Sequence, residues 1–408
     1  MKVSKPFFGT GLSRSGGALY CNMLSVHPSL MVACCPYLGL YRSFRNAIVR
    51  AAGEAAISAV PGHAPMQDYY FDDGRLRVFD AILDANLDLP FDKREWEEFL
   101  STTIQRGALE AADLTHLFER LRGETYQEMF RNALAIVGTG RSSLDRNWVG
   151  FHETWIIDFY PALARAFDEA RFLVMLRDPR AIINSMRAIV RTHPDQVAQV
   201  LSYVRHWRKY VSLALMFRND PLFSGRIHVS SHDSVLMDPH RTVGSICQFL
   251  DLSFDEAMLD SRNFYDYATQ ETWIGNSSFE DRTEGVRAHR STRWRSTLDP
   301  VILDTVEWLC GPDMRLAGYE PITRFAEAVE PSAAIIDFLR CESASELNWR
   351  SDLGDPDMDI GYEIERKRLL SLSSPLTDAA MVRRCFLFPE VYAALRDPVA
   401  RRTVLSRA

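Results

Sequence analysis

Residues 3–19 have the sequence VSKPFFGTGLSRSGGAL and decide how the chain begins to fold. The apolar run from Val3 to Phe8 ends in Gly9-Thr-Gly11, which is typical of a buried strand that leads into a glycine-rich turn. From Ser15 to Val26 apolar residues recur at helical spacing, and His27-Pro28 ends the pattern because proline disfavours helical geometry in the preceding residue. The segment predicts a strand, a glycine turn and a helix in succession.

The same alternation continues further along the chain. Apolar runs predict strands at 171–176 and 227–230, and helical patterns lie at 155–167, 181–190, 195–218 and 239–250. Strands that alternate with helices favour a parallel sheet covered on both faces. Such sheets bind ligands at the carboxyl ends of their strands. The expected fold class is α/β, with a P-loop-like parallel sheet flanked by helices.

Two helical regions stand apart from this alternation. Residues 40–148 carry helical patterns and few strand signals, which indicates a helical insertion that covers part of the fold. Beyond Pro321, short helical patterns are separated by breaks that contain proline. We therefore expect one domain over 1–322 and a helical C-terminal extension over 323–408.

Composition and charge limit the classes of function. The 408 residues include 47 Lys and Arg against 54 Asp and Glu, so the formal net charge is −7. A chain of this charge is not built to coat nucleic acid. The longest near-apolar stretch, Met31–Tyr41, contains Pro36 and is too short to span a bilayer. The oligomeric state is not indicated.

The cysteines and the N-terminus bear on the compartment. The N-terminus lacks the apolar run of a signal peptide. Seven cysteines occur with no CxxC pair, which indicates reduced thiols and a cytoplasmic location. Packing is the favoured interpretation of the neighbouring pair Cys34-Cys35.

The glycine turn at 9–17 carries the first candidate chemistry. Glycines let the backbone point successive N–H groups toward one place, and the N-terminus of the following helix favours an anion. Arg14 adds a full positive charge with several donors. The turn predicts a phosphate cradle, with a simple connecting turn as the alternative. It is not a Walker A loop, because Ser13-Arg14-Ser15 replaces Gly-Lys-[Ser/Thr].

A second motif, Arg177-Asp-Pro-Arg-Ala-Ile-Ile-Asn-Ser185, follows the strand predicted at 171–176. An arginine at the end of a buried strand and a serine on the next helix can converge on one phosphate. Taken alone, the motif favours a plainer interpretation, a surface turn before a helix. Its significance depends on its combination with the first motif.

Together the two motifs resemble those of sulfotransferases that use 3′-phosphoadenosine 5′-phosphosulfate (PAPS). The similarity is to bacterial members and, in part, to tyrosylprotein and carbohydrate sulfotransferases. Residues 14–19 with His27-Pro28 match most of the first family motif, and Arg177 with Ser185 matches the second. Shorter matches are Gly150-Phe-His-Glu153, Phe167–Phe172, Asn276-Ser-Ser-Phe279, Arg293-Trp-Arg295 and Gly318-Tyr319.

The resemblance implies a role for each matching residue. The residues that would hold the 5′-phosphosulfate are Gly11, Leu12, Ser13, Arg14, Ser15, Gly16, Gly17, Ala18 and Leu19. Arg177 and Ser185 would hold the 3′-phosphate that distinguishes PAPS from ATP. The late residues with implied roles are Thr292, near the transferred group, and Arg293, Trp294 and Arg295, at the nucleotide. The partner would be a hydroxyl-bearing small molecule, carbohydrate or lipid, bound under the helical insertion.

Several positions depart from the family pattern. Gly17 and Ala18 replace two family threonines, so two hydroxyl donors are absent. Cys35 stands where tyrosylprotein enzymes have a glutamate base, and a buried neutral thiol is a poor proton acceptor. His152 stands at the position of a family lysine. Either the chemistry is redistributed or the protein is weakly active.

An acceptor hydroxyl must lose a proton during in-line transfer, which the protein assists mainly by positioning and charge. His152 is the first candidate base because histidine titrates near neutral pH, and the adjacent Glu153 is the second. The chemistry requires no metal, and the sequence shows no clustered ligand set. The acidic residues of Asp68–Asp84 favour a solvated face.

Two other functions compete with sulfuryl transfer. The lost threonines and glutamate favour a catalytically weakened nucleotide-binding scaffold of the same fold. A P-loop-like kinase is disfavoured, because the sequence lacks the Walker lysine.

Overall fold

A five-stranded parallel sheet forms the centre of the fold. The computed structural model describes residues 4–66, 72–141, 146–192, 199–267, 269–273, 275, 291–343 and 355–397. The strands of the sheet are β1 (Lys5–Gly11), β2 (Leu30–Cys34), β3 (Trp148–Thr154), β4 (Arg171–Leu176) and β5 (Ile227–Ser231). Their order is β2-β3-β1-β4-β5, and every neighbouring pair is parallel. Because β1 is central, the glycine turn after it starts at the middle of the sheet's carboxyl edge.

Helices make up most of the remaining described structure. They are α1 (Gly17–Val26), α2 (Leu38–Ala51), α3 (Glu54–Ala59), α4 (Asp73–Asp84), α5 (Trp96–Gly107), α6 (Tyr126–Gly140), α7 (Tyr160–Ala166), α8 (Pro179–Thr192), α9 (Val200–Asn219), α10 (His232–Met237), α11 (Pro239–Phe249), α12 (Trp294–Thr297), α13 (Pro300–Leu316), α14 (Ala333–Ser343), α15 (Pro356–Ser371), α16 (Ala379–Phe386) and α17 (Pro389–Arg396). The predicted fold class, a P-loop-like α/β sheet with a helical insertion and a helical C-terminal segment, is confirmed. None of the described helices combines the length and the apolar character needed to cross a membrane.

The chain divides into two compact units. Among the described residues, the first contains those of 4–176 and 217–275, with the parallel sheet. The second contains those of 177–216 and 291–397, so the described segments on both sides of residue 322 belong to it. A short antiparallel pair in the first unit joins β6 (Tyr265–Asp266) to β7 (Glu271–Thr272).

The two faces of the sheet differ in what covers them. Side chains alternate along a strand, so Phe7 and Phe8 point to opposite faces. Phe7 belongs to a buried cluster that includes α1 and α11, with Tyr20, Met23, Val243 and Ile246. Phe8 belongs to an aromatic layer with Phe151, Phe167 and Phe172. This alternation decides where the candidate residues on β3 point.

Buried ion pairs hold the second unit together. Glu363 on α15 binds Arg205 and Arg208 of α9, with all three side chains at most 4% exposed. Arg366 binds Asp313 of α13 in the same way. Buried charges need such partners, because an unpaired charge in a protein interior is strongly destabilising.

Candidate active site

The turn after β1 has the backbone geometry of an anion cradle. Ser15 N–H donates to the carbonyl of Leu12 at 3.0 Å and closes the turn. Arg14 and Gly16 have φ angles of 68° and 87°, and left-handed residues in such a turn direct N–H groups to one point. A Cβ on Gly16 would lie 2.2 Å from His232 Nδ1, so the position requires glycine.

Ser15 gives the clearest indication that the turn binds a ligand. Its side chain is 1% exposed, and Oγ has no hydrogen-bond partner among the described residues. An unsatisfied buried hydroxyl costs about 1–3 kcal/mol, so such an atom in a native fold calls for a partner. An oxygen of a phosphate or sulfate group accepts hydrogen bonds and supplies one. The turn therefore fits the predicted anionic ligand.

Gly17 lies so close to the His152 ring that a side chain at residue 17 would clash with it. A Cβ on Gly17 would lie 2.4 Å from Cε1 of His152 and 2.9 Å from its Nε2. The imidazole ring therefore fills the place where a side chain at residue 17 would begin. The threonine expected at this position cannot coexist with the ring, which gives a physical reason for two departures at once.

This coupling predicts the effect of adding one methyl group. Gly17→Ala should destabilise the fold by about 1–3 kcal/mol through overpacking, since the His152 ring, which is 3% exposed, would have to shift to admit the methyl group. Thermal unfolding of Gly17→Ala, His152→Ala and the double variant should give a clearly non-additive cycle. Gly244→Ala is the matched control, because a Cβ there meets nothing within 4 Å. Additive effects would contradict the coupling.

His152 and Glu153 cannot act at the same point, because consecutive strand residues face opposite sides of the sheet. His152 is paired in register with Gly9 and Cys34 and lies on the α1 face, against Gly17. Burial lowers the pKa of His152 to about 3, so the ring is neutral at pH 7. Its Nε2 has no hydrogen-bond partner within the described parts of the chain.

Glu153 faces the aromatic side and interacts with the start of α2. It is fully buried, and Oε1 accepts a hydrogen bond from Tyr37 N–H. Burial raises the pKa of Glu153 to about 8, although the backbone N–H groups of Tyr37 and Leu38 oppose the rise. A carboxyl group with this pKa is mostly protonated at pH 7. Glu153 therefore serves as a hydrogen-bond acceptor at the start of α2 rather than as a base at neutral pH.

A cavity of about 290 Å³ opens beside the cradle. Ala18, Cys21 and Asn22 of α1 form part of its wall, so the cavity and the cradle share the first turns of this helix. The other lining residues are Val32, Cys34, Leu109, Glu110, Arg141, Tyr265, Asp266, Tyr267, Thr269, Trp273 and Gly275. The volume and the mixture of aromatic, carboxylate and amide groups suit a small polar organic molecule.

Glu110 is a carboxylate in this wall that the sequence did not single out. Glu110 is exposed on the surface as a residue, but desolvation of its carboxyl group in the cavity wall raises its pKa, and the positive charge of Arg14 opposes that rise. The two side chains are therefore electrostatically coupled, one in the cradle and the other in the cavity. No motif signals Glu110, because it lies in a turn between α5 and the next helical segment.

The sequence shows no clustered metal-ligand set, whereas the fold assembles one. Cys21, Cys34 and His152 offer ligand atoms that all lie within 4.8 Å of one another. Cys35 lies next to them, with its Sγ 3.8 Å from His152 Nδ1. The sequence indicated only the neighbouring pair Cys34-Cys35; the approach of Cys21 and His152 requires the tertiary fold.

Arg177 and Ser185 belong to the second unit. Arg177 is half-buried, and its carbonyl accepts a hydrogen bond from Trp207 Nε1 at 2.9 Å. Ser185 is 3% exposed on α8. The neighbouring Asn184 donates to Thr297 Oγ1 at 2.8 Å, which ties α8 to the end of α12.

Arg180, the second arginine of that motif, is occupied within the protein. It makes buried ion pairs with Asp178 and Glu307, both at 2.7 Å. Its guanidinium lies 4.0 Å from the ring centroid of Trp294, an approach at which a cation interacts with the ring face. This network fixes the backbone after Arg177 and buries Trp294.

The remaining predicted residues are surface residues or undescribed. Thr292 is exposed, and its carbonyl accepts a hydrogen bond from Arg295 N–H at 3.0 Å. Arg293 is half-buried and Arg295 is exposed beside Trp294. The Asn276-Ser-Ser-Phe279 match lies outside the described residues.

Comparisons with known structures return sulfotransferases and a retinol dehydratase, all at low similarity. The sulfotransferase domain from the curacin biosynthetic pathway is 14% identical, with a TM-score of 0.41 over 74% of this chain and 93% of that one. A sulfotransferase from Alicyclobacillus acidocaldarius is 16% identical, with a TM-score of 0.37 over 76% and 94%. Retinol dehydratase, in a complex with androsterone and the inactive cofactor PAP, is 13% identical, with a TM-score of 0.34 over 77% and 82%.

The family assignment comes from the sequence match. No curated protein matches the sequence. A family model described as "Sulfotransferase family" matches residues 6–256, more than half of the chain. This range includes the cradle, His152, Arg177 and Ser185. The chain belongs to the sulfotransferase family.

Proposed function

We propose that the protein transfers a sulfuryl group from PAPS to a hydroxyl of a small-molecule, carbohydrate or lipid acceptor. The observation that carries this proposal is the cradle after β1, where the buried Ser15 hydroxyl lacks a partner among the described residues and Arg14 supplies positive charge. Family membership supports the same reaction. The seven free cysteines suit a reducing compartment, and we propose a cytoplasmic location.

In this proposal the two motifs bind different parts of the donor. Residues Gly11–Leu19 bind the 5′-phosphosulfate, while Arg177 and Ser185 bind the 3′-phosphate. Thr292 and Arg293–Arg295 remain the proposed late contacts. The donor supplies an activated sulfuryl group and leaves as 3′-phosphoadenosine 5′-phosphate (PAP). N–H groups and an arginine at the cradle stabilise the negative charge that grows on the departing phosphate.

The acceptor binds in the cavity beside the cradle. Glu110 and Asp266 give the cavity negative charge, and Tyr265, Tyr267 and Trp273 give it aromatic surface. This lining favours an acceptor with an apolar or ring-shaped body and a hydrogen-bond donor or cationic group. The shared wall of α1 brings the acceptor hydroxyl toward the 5′-phosphosulfate.

Three groups compete for the proton of the acceptor hydroxyl. His152 is neutral and able to accept it, but a pKa of about 3 makes the ring a weak base. Glu153 is mostly protonated at pH 7 and faces the other side of the sheet. Glu110 lines the cavity, and its raised pKa brings it closer to the working pH. We assign the base to Glu110 and a supporting role to His152 beneath the cradle.

Sulfate transfer from labelled PAPS to a panel of hydroxyl-bearing metabolites tests the function and the base together. Wild-type protein should add one sulfuryl group to an acceptor, detected by mass. Glu110→Gln should reduce the single-turnover rate by about 10²–10⁴-fold, the usual contribution of a general base. It should also remove the fall in rate as the pH drops through the pKa of that carboxyl.

Glu119→Gln is the matched control, because Glu119 is also an exposed carboxylate but does not line the cavity. It should leave the rate unchanged. If His152→Ala loses most of the transfer rate while Glu110→Gln keeps full activity, His152 and not Glu110 is the base. PAP binding without transfer to any acceptor would favour the scaffold alternative.

A further inference from the structure

The fold brings three soft ligand side chains to one place. Cys21 comes from α1, Cys34 ends β2, and His152 lies on β3. Their ligand atoms all lie within 4.8 Å of one another. Cys34 and His152 are direct neighbours in the parallel register, so both project from the same face of the sheet. Three separate chain segments thus meet through their sulfur and nitrogen atoms.

A further thiol, that of Cys35, lies beside these three but outside the group whose ligand atoms all lie within 4.8 Å of one another. Cys35 Sγ is 3.9 Å from Cys34 Sγ and 3.8 Å from His152 Nδ1. In a tetrahedral zinc site, Zn–S bonds of about 2.3 Å place neighbouring sulfur atoms about 3.8 Å apart. Cys35 has a left-handed φ of 46°, and its N–H donates to the carbonyl of His152 at 2.8 Å. This backbone bond holds Cys35 close to the imidazole.

The imidazole needs a partner that the described protein does not provide. His152 is 3% exposed, and its Nε2 has no hydrogen-bond partner among the described residues. Burial of an unpaired polar atom is unfavourable. A metal ion bound through one ring nitrogen would satisfy the ring far better than the surrounding thiols, which form only weak hydrogen bonds.

Simple packing and disulfide formation both account for the cluster less well than metal binding does. Packing accounts for buried thiols but not for a ring nitrogen that has no partner among the described residues. A disulfide between Cys34 and Cys35 would use only two of the four groups and requires an oxidant, whereas all seven cysteines are free thiols. Metal binding uses Cys21, Cys34 and His152 together and requires only loss of the thiol protons.

We propose that Cys21, Cys34 and His152 bind one zinc ion. Thiolate sulfur and imidazole nitrogen together are the ligand chemistry of tetrahedral zinc sites. Such an ion would link α1 to β2 and β3 and so fix the helix that begins at the cradle. The proposal does not depend on sulfuryl transfer.

The test measures metal directly in the full-length chain. Protein purified under reducing conditions with zinc present should contain one zinc per chain by elemental analysis. After removal of zinc by a chelator, added Co²⁺ should give intense visible bands of tetrahedral geometry and a near-ultraviolet thiolate-to-cobalt band. The intensity of the latter band reports the number of thiolate ligands, and zinc should displace the cobalt.

Variants separate the cluster from other thiols. Cys34→Ser and His152→Ala should reduce the zinc content to near zero, while Cys247→Ser, which changes a buried cysteine outside the cluster, should retain it. Circular dichroism shows whether each variant is folded, and the cobalt spectrum of wild-type protein gives a result that needs no variant. Folded, reduced wild-type protein without zinc or thiolate-to-cobalt bands would overturn the proposal. Full zinc content in Cys34→Ser would do the same.

Discussion

Glu153→Gln should make the protein markedly more stable than wild type at pH 9, while the two are similar near pH 5. Burial raises the pKa of Glu153 from 4.5 to about 8, so between these values the folded state holds a proton that the unfolded state releases. Stability therefore falls as the pH rises through this window. The difference integrates to about 5 kcal/mol. Glutamine mimics the protonated carboxyl and removes the penalty.

Urea unfolding from pH 5 to 9 checks this result. Glu390→Gln, which changes an exposed glutamate in the first turn of α17, is the control and should follow the wild-type pH dependence. Equal alkaline slopes in Glu153→Gln and wild type would show that Glu153 is ionised in the fold at neutral pH.

Arg177→Ala should weaken the binding of PAP by about 30- to 1000-fold, which corresponds to about 2–4 kcal/mol for a lost charged hydrogen-bonded contact. The loss should disappear with AMP, which lacks the 3′-phosphate. The substitution keeps the backbone that Trp207 binds at the carbonyl of residue 177, so the local fold should survive. Isothermal titration of wild type and variant with both nucleotides measures the effect.

Arg191→Ala is the control for Arg177→Ala, because Arg191 is an exposed arginine in the last turn of α8. It removes the same charge from the same part of the chain without touching the motif. PAP should bind this variant as it binds wild type. Equal losses of PAP affinity in both variants would show that Arg177 contributes only general charge attraction.

The sequence predicts the fold well where hydrophobic patterns are long or clearly bounded. The strand at 171–176 matches β4, and the helix at 239–250 matches α11 within one residue. The helix at 155–167 proves shorter, since α7 covers only Tyr160–Ala166 after a 3-10 turn. β1 extends through Gly11, so the glycines that were expected in the turn lie partly in the strand.

Two strands of the parallel sheet were not predicted, β2 and β3. β2 has five residues, and a short apolar run gives no periodicity that separates a strand from a buried helix. β3 contains Gly150, His152 and Glu153, which are not typical strand residues. Both strands form because their neighbours in the sheet bury them, which is a tertiary effect.

The same distinction between local and tertiary effects applies to the candidate site. The sequence predicts the cradle from its glycines and Arg14, because local backbone geometry creates it. The sequence does not predict the place of Glu110 or the approach of Cys21 to His152, since these residues are distant in sequence from their neighbours and come together only in the folded protein. The opposite orientations of His152 and Glu153 follow from the alternation of β3, which becomes evident only once the strand is recognised.

The nucleotide preference of the wild-type protein tests the central claim most directly. Calorimetric titration with PAP, AMP and ATP under the same conditions requires no knowledge of the acceptor. The sulfuryl-transfer account predicts that PAP binds at least ten times more tightly than either of the others, which is about 1.4 kcal/mol. Equal binding of PAP and AMP, or a preference for ATP, would contradict it.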